Sequence, residues 1–282
     1  MPVAVVTDST ADLPAHLCGD RGITVVPLVV VVNGVEGLEG RDVGPGDVAR
    51  ALGIRRGSVS TSRPTPESFA SAYRKLLDAG ADGIVSVHLS AELSGTVDAA
   101  RLAAAEFGDR IAVVDARSAG MGLGFAALDA AAAAAAGENL DTVRAAALDA
   151  IGRIDTFFYV DTLEYLRRGG RIGAASALLG TALSVKPILH VVDGAIVVRE
   201  KVRTAGRALA RIVDVAVAAA GEARVDLAVH HLAAEQRAAE VGAALAARLG
   251  ERVQDSYVQE TGAAVAAHVG PGVVGVVVHR RP

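Results

Sequence analysis

The chain has 282 residues, 51% of them apolar and 21% charged, and a formal net charge of −4. That length supports two modest domains or one large one, with enough apolar content for substantial cores. With no Trp, 3% aromatics and a weakly acidic balance, it lacks both the basic field and the stacking platforms that hold nucleic acid, so no nucleic-acid partner is expected.

From the N-terminus, Val3–Val6 reads as a buried strand that stops at the polar run Thr7-Asp8-Ser9-Thr10, and the early Asp8 argues against a signal peptide. Val25–Val32 reads as one strand running into a hairpin turn at Asn33-Gly34. Ser60-Thr61-Ser62-Arg63-Pro64 reads as a hydroxyl-rich loop opening a helix over Pro66–Ala79. The strand Ile84–Val87, a helix over Thr96–Phe107, the strand Ile111–Val114, a helix over Gly122–Ala136 and the strand Phe157–Val160 follow. Short β-branched runs alternating with Ala/Leu-rich helices imply a mainly parallel sheet covered on both faces.

The second half has a different pattern. A short helix carrying Arg167 and Arg168 precedes Gly169-Gly170, where the chain turns, and Arg171 opens a small-residue helix. Val185–Val192 and Ala195–Glu200 flank Asp193-Gly194, a two-residue hairpin signal. Helices over Thr204–Ala220 and Ala233–Leu249 surround the strand Val225–Val229, and Val273–Val278 closes the chain as a strand. The expected fold is α/β with two domains. Residues 1–150 form one with a mainly parallel sheet and flanking helices; residues 151–282 form a mixed α/β domain. No stretch approaches roughly 18 uncharged apolar residues, so no membrane insertion is expected and the cytoplasm is the expected compartment. A single Cys18 excludes an internal disulfide, and the 7 His residues show no His-Glu-x-x-His spacing, so neither metal nor other cofactor is expected.

Two hydroxyl sets lie where strands give way to helices: Ser60-Thr61-Ser62, and Ser94-Gly95-Thr96. Each serves equally as helix-capping chemistry or as donors to an anion at a helix N-terminus. No Gly-x-x-x-x-Gly-Lys-Ser/Thr occurs, and Gly120-x-Gly122-x-Gly124 lacks the third glycine of a dinucleotide fingerprint. Ser118 and Met121 in that segment read either as cavity lining or as helix-on-sheet packing. Arg171, Arg203 and His268 form a set of cations in motifs apart from the hydroxyls, with ion pairing to Asp161 or Glu164 as the structural alternative for the arginines.

Several segments together resemble the bacterial DegV family. They are VAVVTDSTADLP (Val3 to Pro14), TSRPTPESF (Thr61 to Phe69), SVHLSAELSGT (Ser86 to Thr96), VVDARSAGMGLG (Val113 to Gly124), the Tyr159–Leu189 stretch, KVRTAGRAL (Lys201 to Leu209) and HVGPG (His268 to Gly272). The resemblance implies a DegV-like fold and a bound long-chain fatty acid between the two domains. It assigns the fatty acid to Thr61, Ser62, Ser94, Gly95, Ser118 and Met121, with Arg63 standing where many members have Gln. In some DegV-like proteins a separate kinase phosphorylates the bound fatty acid. By that resemblance Arg171, Arg203 and His268 are the residues that meet the kinase or the acyl phosphate. A carrier of this kind is not itself an enzyme. Two other readings stay open: a phosphotransferase or hydrolase using Asp8, Ser94 or His268 on a small anionic substrate, and a lipid-responsive interaction protein with no kinase.

Overall fold

The computed structural model describes residues 2–178 and 186–282. The end of the small-residue segment after Arg171, and Val185 at the start of an expected strand, lie outside the described residues. β1 (Val3–Asp8) extends the first apolar run as far as Asp8, and a single turn at Ser9–Ala11 leads to α1 (Ala15–Asp20). The expected strand Val25–Val32 is two strands in two different sheets, β2 (Ile23–Val26) and β3 (Val29–Val32). Pro27 lies at the break, and with no N–H it cannot continue a ladder. Asn33 and Gly34 take φ of 52° and 84°, the turn of a tight hairpin, and β4 (Val35–Leu38) returns along β3.

After α2 (Pro45–Gly53) comes β5 (Val59–Ser62), which corrects the expected hydroxyl loop. Ser60, Thr61 and Ser62 pair with Val31, Val30 and Val29 of β3, and strand alternation leaves Ser60 and Ser62 exposed while Thr61 turns inward. The chain continues through α3 (Pro66–Asp78), β6 (Gly83–His88), α4 (Thr96–Ala104), β7 (Ile111–Asp115) and α5 (Met121–Ala135). α6 (Leu140–Gly152), capped by Asn139, is an addition to the expected elements. β8 (Ile154–Tyr159), α7 (Glu164–Arg168), β9 (Lys186–Val192) and β10 (Ala195–Val202) follow. The chain ends with α8 (Ala205–Ala220), β11 (Val225–His231), α9 (Glu235–Leu249), β12 (Val253–Glu260), α10 (Ala263–Val269) and β13 (Val274–Arg280).

The first sheet, in the order β2-β1-β6-β7, is parallel throughout, and β6 is buried along its whole length. Phe69, Tyr73 and Ala100 cover one face from α3 and α4; Leu123, Ala127 and Ala147 cover the other from α5 and α6. A six-stranded sheet, in the order β10-β9-β8-β13-β11-β12, is antiparallel except between β11 and β12. α8 and α9 cover one of its faces, where Ile212, Val215 and Leu245 meet Phe157, Tyr159 and Val276. Alternation sends Thr156, Phe158, Gly275 and Val277 to the other face, part of which packs on Met121 and Phe125 of α5. A small antiparallel sheet, β4-β3-β5, packs with α2 on α10, through Leu28, Val30 and Val48 against Ala263, Ala264 and Ala267. One excursion of the first half therefore forms a wall together with a helix from the last.

Candidate functional site

The loops that follow β1, β2, β6 and β7 all end at one place, the carboxyl edge of the parallel sheet, where open α/β sheets gather ligands. Facing that edge is the free face of the six-stranded sheet, with α10 at the side. The three enclose a cavity of about 130 Å³. Its walls are mostly apolar: Leu28, Leu89, Leu93, Phe158, Leu166, Val191, Ile196, Ala264, Val265, Val269, Val273, Val276 and Val277. Apart from Thr156, the few polar groups fall into two sets at opposite ends of α10, one around Thr261 just before the helix and one around His268 in its last turn.

The outer set is partly exposed and comprises Thr61, Ser94, Arg171 and His268. Thr61 Oγ1 and His268 Nε2 are 2.8 Å apart, joining β5 to α10 across 207 residues of sequence. Burial, and then the charge of Arg171, pull the His268 imidazole down to about 4, so it is neutral at pH 7. Its Nδ1 is buried with no partner, beside Gly169, whose missing side chain lets the end of α7 approach the ring. Arg171 donates from Nε to the Leu93 carbonyl at 2.9 Å and from a guanidinium nitrogen to the Gly169 carbonyl, which holds its charge beside Ser94. Ser94 in turn shares a 2.9 Å hydrogen bond with Thr96 in the first turn of α4.

The inner set is buried: Thr10 is 1% exposed, Thr261 3% and His230 7%. His230 Nε2 accepts the Met121 N–H at 3.1 Å, and burial lowers the imidazole to about 4. Asp12 accepts from the Thr261 hydroxyl at 2.7 Å and from the Gly262 N–H at 2.9 Å, while Glu39 accepts the Ala264 N–H at 2.7 Å. Two carboxyl groups from the first half thus hold the start of α10 through hydrogen bonds. Burial, and then the charge of Glu39, push Asp12 up to about 8. Asp8 anchors the parallel-sheet side of the cavity. It is wholly buried and accepts from the N–H groups of Thr10 at 3.0 Å and Leu89 at 3.1 Å, and from His88 Nδ1 at 3.0 Å. The chain of contacts runs on from His88 to Ser86 at 2.6 Å and to Tyr73 at 2.8 Å.

Thr61, Ser94, Arg171 and His268 therefore lie at one cavity, which corrects the expectation of a cationic corner apart from the hydroxyls. Ser62 is exposed because it follows the inward-facing Thr61 on a strand. Gly95 sits behind Ser94, where a side chain would strike the Arg63 guanidinium that lies across it. Ser118 and Met121 stand behind the wall instead of on it: the Ser118 hydroxyl meets that of Thr156 at 3.2 Å, and Met121, at the start of α5, is buried with Ala228 and Val277 of the six-stranded sheet. Arg203 is exposed at the end of β10, away from the cavity, and has no ion pair among the described residues. Asp8, a candidate in the enzyme reading, is sealed and committed to Thr10, Leu89 and His88. His230, Thr261 and Gly275 line the cavity beyond the expected set. The one signal for them was Gly275, a glycine inside a run of valines. Among the described residues no group of three or more His, Cys, Asp or Glu is placed to hold a metal, and no helix is long and apolar enough to cross a membrane.

Residues 2–281 match the family model described as "Uncharacterised protein, DegV family". A DegV domain-containing protein of Streptomyces coelicolor is 53% identical over 282 residues, 99% of each chain. A Thermus thermophilus structure described as fatty acid binding of a DegV family protein superposes with a TM-score of 0.94 at 35% identity, over all of both chains. DegV of Bacillus subtilis, described as a fatty acid binding protein, gives 0.90 at 30% identity, again over all of both. The arrangement of a parallel sheet, a mixed sheet and helices is the fold of those structures.

Proposed function

This chain belongs to the DegV family, and on that premise we propose that it carries a long-chain fatty acid and presents it to a separate fatty-acid kinase. The observation that carries this reading is the apolar cavity closed at its outer end by Thr61, Ser94, Arg171 and His268. The acyl chain lies along the apolar walls and the carboxylate takes the outer set. Burying about 15 methylenes contributes on the order of 12 kcal/mol at most, and chain ordering and lost free motion offset part of it. The polar groups then have only to orient one carboxylate. With His268 Nδ1 unpartnered, its tautomer is free to adjust. Nε2–H then donates to Thr61, and the Thr61 hydroxyl donates to the carboxylate.

The hydroxyl–imidazole pair Thr61–His268 has the spacing of a nucleophile and base, but no carboxylate orients the far nitrogen of the ring. That favours a binding role over intrinsic chemistry, with no cofactor beyond the lipid. Arg203 is the cation suited to docking a kinase, and Arg171 the one suited to the acyl phosphate. A soluble cytoplasmic carrier divided near residue 150, with the ligand between residues 1–150 and 151–282, completes the reading.

Protein purified without detergent is expected to release one long-chain fatty acid per chain on solvent extraction and mass analysis. Thr61→Ala is expected to weaken rebinding by about 1.5–3 kcal/mol, roughly 10- to 150-fold. Absence of lipid, together with no uptake of palmitate or oleate, overturns the carrier reading. Acyl-phosphate formation by a purified kinase on lipid-loaded Arg203→Ala tests the presentation step; a rate equal to wild type removes Arg203 from it.

A further inference from the structure

We propose that Gly275, in the middle of β13, is where the acyl chain crosses the six-stranded sheet, and that its missing side chain sets the length of chain the cavity accepts; this rests on the fatty-acid reading. The run Val273-Val274-Gly275-Val276-Val277-Val278 is β-branched at every position but one. A glycine inside a strand packs nothing and weakens the strand, so it has to answer a demand from the backbone, from a neighbour or from a ligand. The backbone makes no such demand, because Gly275 is not among the glycines with positive φ. Neighbours make none either. A Cβ placed there would meet Phe158 Cβ at 3.4 Å, the Phe157 carbonyl oxygen at 3.5 Å and His230 Cβ at 4.0 Å, all ordinary contacts.

Other buried glycines answer to the protein itself. Gly122 makes room for the Ser118 hydroxyl, a Cβ at Gly124 would meet the Ala11 carbonyl oxygen at 2.7 Å, and Gly272 has a φ of 87°. What Gly275 leaves open is the cavity, which it lines. The register sets Leu189, Phe158, Gly275 and His230 in one row across β9, β8, β13 and β11. Phe158 and His230 therefore flank Gly275 from the strands on either side, their Cβ atoms 3.4 and 4.0 Å from where a Cβ at position 275 would stand, with a gap one methylene wide between them. A methylene chain fits that gap, and any side chain at position 275 occupies it.

The test is a binding series of decanoate, myristate and stearate against wild type, Gly275→Ala and Gly275→Val. Each methylene kept out of the cavity weakens binding about fourfold. Gly275→Val is accordingly expected to lose roughly 10- to 50-fold for stearate while decanoate stays within about twofold. Gly275→Ala, whose Cβ makes only ordinary contacts, is expected to lose about fourfold for stearate and answers the question should the valine variant not fold. Lipid-free Gly275→Ala is expected to melt about 1–3 °C above lipid-free wild type, because the native backbone accepts a side chain there. A purely structural glycine gives the opposite sign. A length profile unchanged from wild type, or a loss equal at all lengths, overturns the inference while leaving the carrier reading in place. A wild type that binds none of the acids overturns both.

Discussion

His230, His268 and Asp12 are held in ionisation states that the unfolded chain does not share, and each state has a consequence in pH. Burial puts both histidines at about 4, against 6.5 when exposed. Between those values the unfolded chain binds protons that the folded one refuses. The stability concerned is present above pH 6.5 and is lost as pH falls toward 4. Asp12 works in the other direction. At about 8 against 3.8, the folded protein keeps a proton that the unfolded chain gives up, so stability declines as pH rises from 3.8 through 8. His279, raised above 6.5 by hydrogen bonds to Asp129 and Asp226 despite its burial, adds a decline of the same sign. Urea unfolding is expected to show wild type losing on the order of 2 kcal/mol between pH 6.5 and 8 through Asp12. Asp12→Asn, which has no proton to lose, is expected to show a smaller decline over the same range. Equal declines in the two proteins would mean that Asp12 is ionised throughout that range.

α10 links the two polar sets, because Thr261 lies just before it and His268 in its last turn. Its start is fixed by Asp12 and Glu39, and Gly262 stands between them, where a Cβ would be 2.6 Å from an oxygen of each. Gly262→Ala is expected to push the helix start away, at a cost of about 1–3 kcal/mol in stability. It should also weaken fatty-acid binding, because the His268 ring moves relative to Thr61; titration of a variant that is destabilised yet binds like wild type would separate α10 from the head-group site. Little of this joint could be read in the sequence. Local chemistry was legible: Asn33-Gly34 and Asp193-Gly194 mark hairpins because their turns need positive φ, which both pairs adopt. β12 was not, since as an edge strand it is largely polar, with Gln254, Asp255, Ser256, Gln259 and Glu260. Nor was the strand nature of Ser60-Thr61-Ser62, whose pairing partner β3 lies about thirty residues earlier in the chain and is recognised only once Pro27 has split it from β2. Motif resemblance brought Thr61, Ser94, Arg171 and His268 to notice one by one. Their convergence depends on contacts such as the one spanning 207 residues, for which no local spacing exists.

The cavity draws its walls from both halves of the chain, so a ligand held in it would act on the whole molecule. Thr10, Leu28, Thr61, Leu89 and Ser94 come from the first half, and Phe158, Arg171, His230, His268 and Val277 from the second. A ligand that touches both sets adds its binding free energy to the contact between the halves, as well as to the fold of either. Lipid at 100 times its dissociation constant is expected to stabilise the protein by about 2.7 kcal/mol, which delipidation removes. The location of that loss is more informative than its size. Hydrogen exchange after delipidation should quicken in β5, in the Leu89–Ser94 segment, in α10 and around Gly275, all of which line or adjoin the cavity. It should change least in α8 and α9, which cover the opposite face of the six-stranded sheet and have their own core in Ile212, Val215 and Leu245. Faster exchange confined to one half would place the lipid within that half and remove it from the joint. Faster exchange spread evenly through α8 and α9 as well would make the lipid a general stabiliser of folding with no particular hold on the junction.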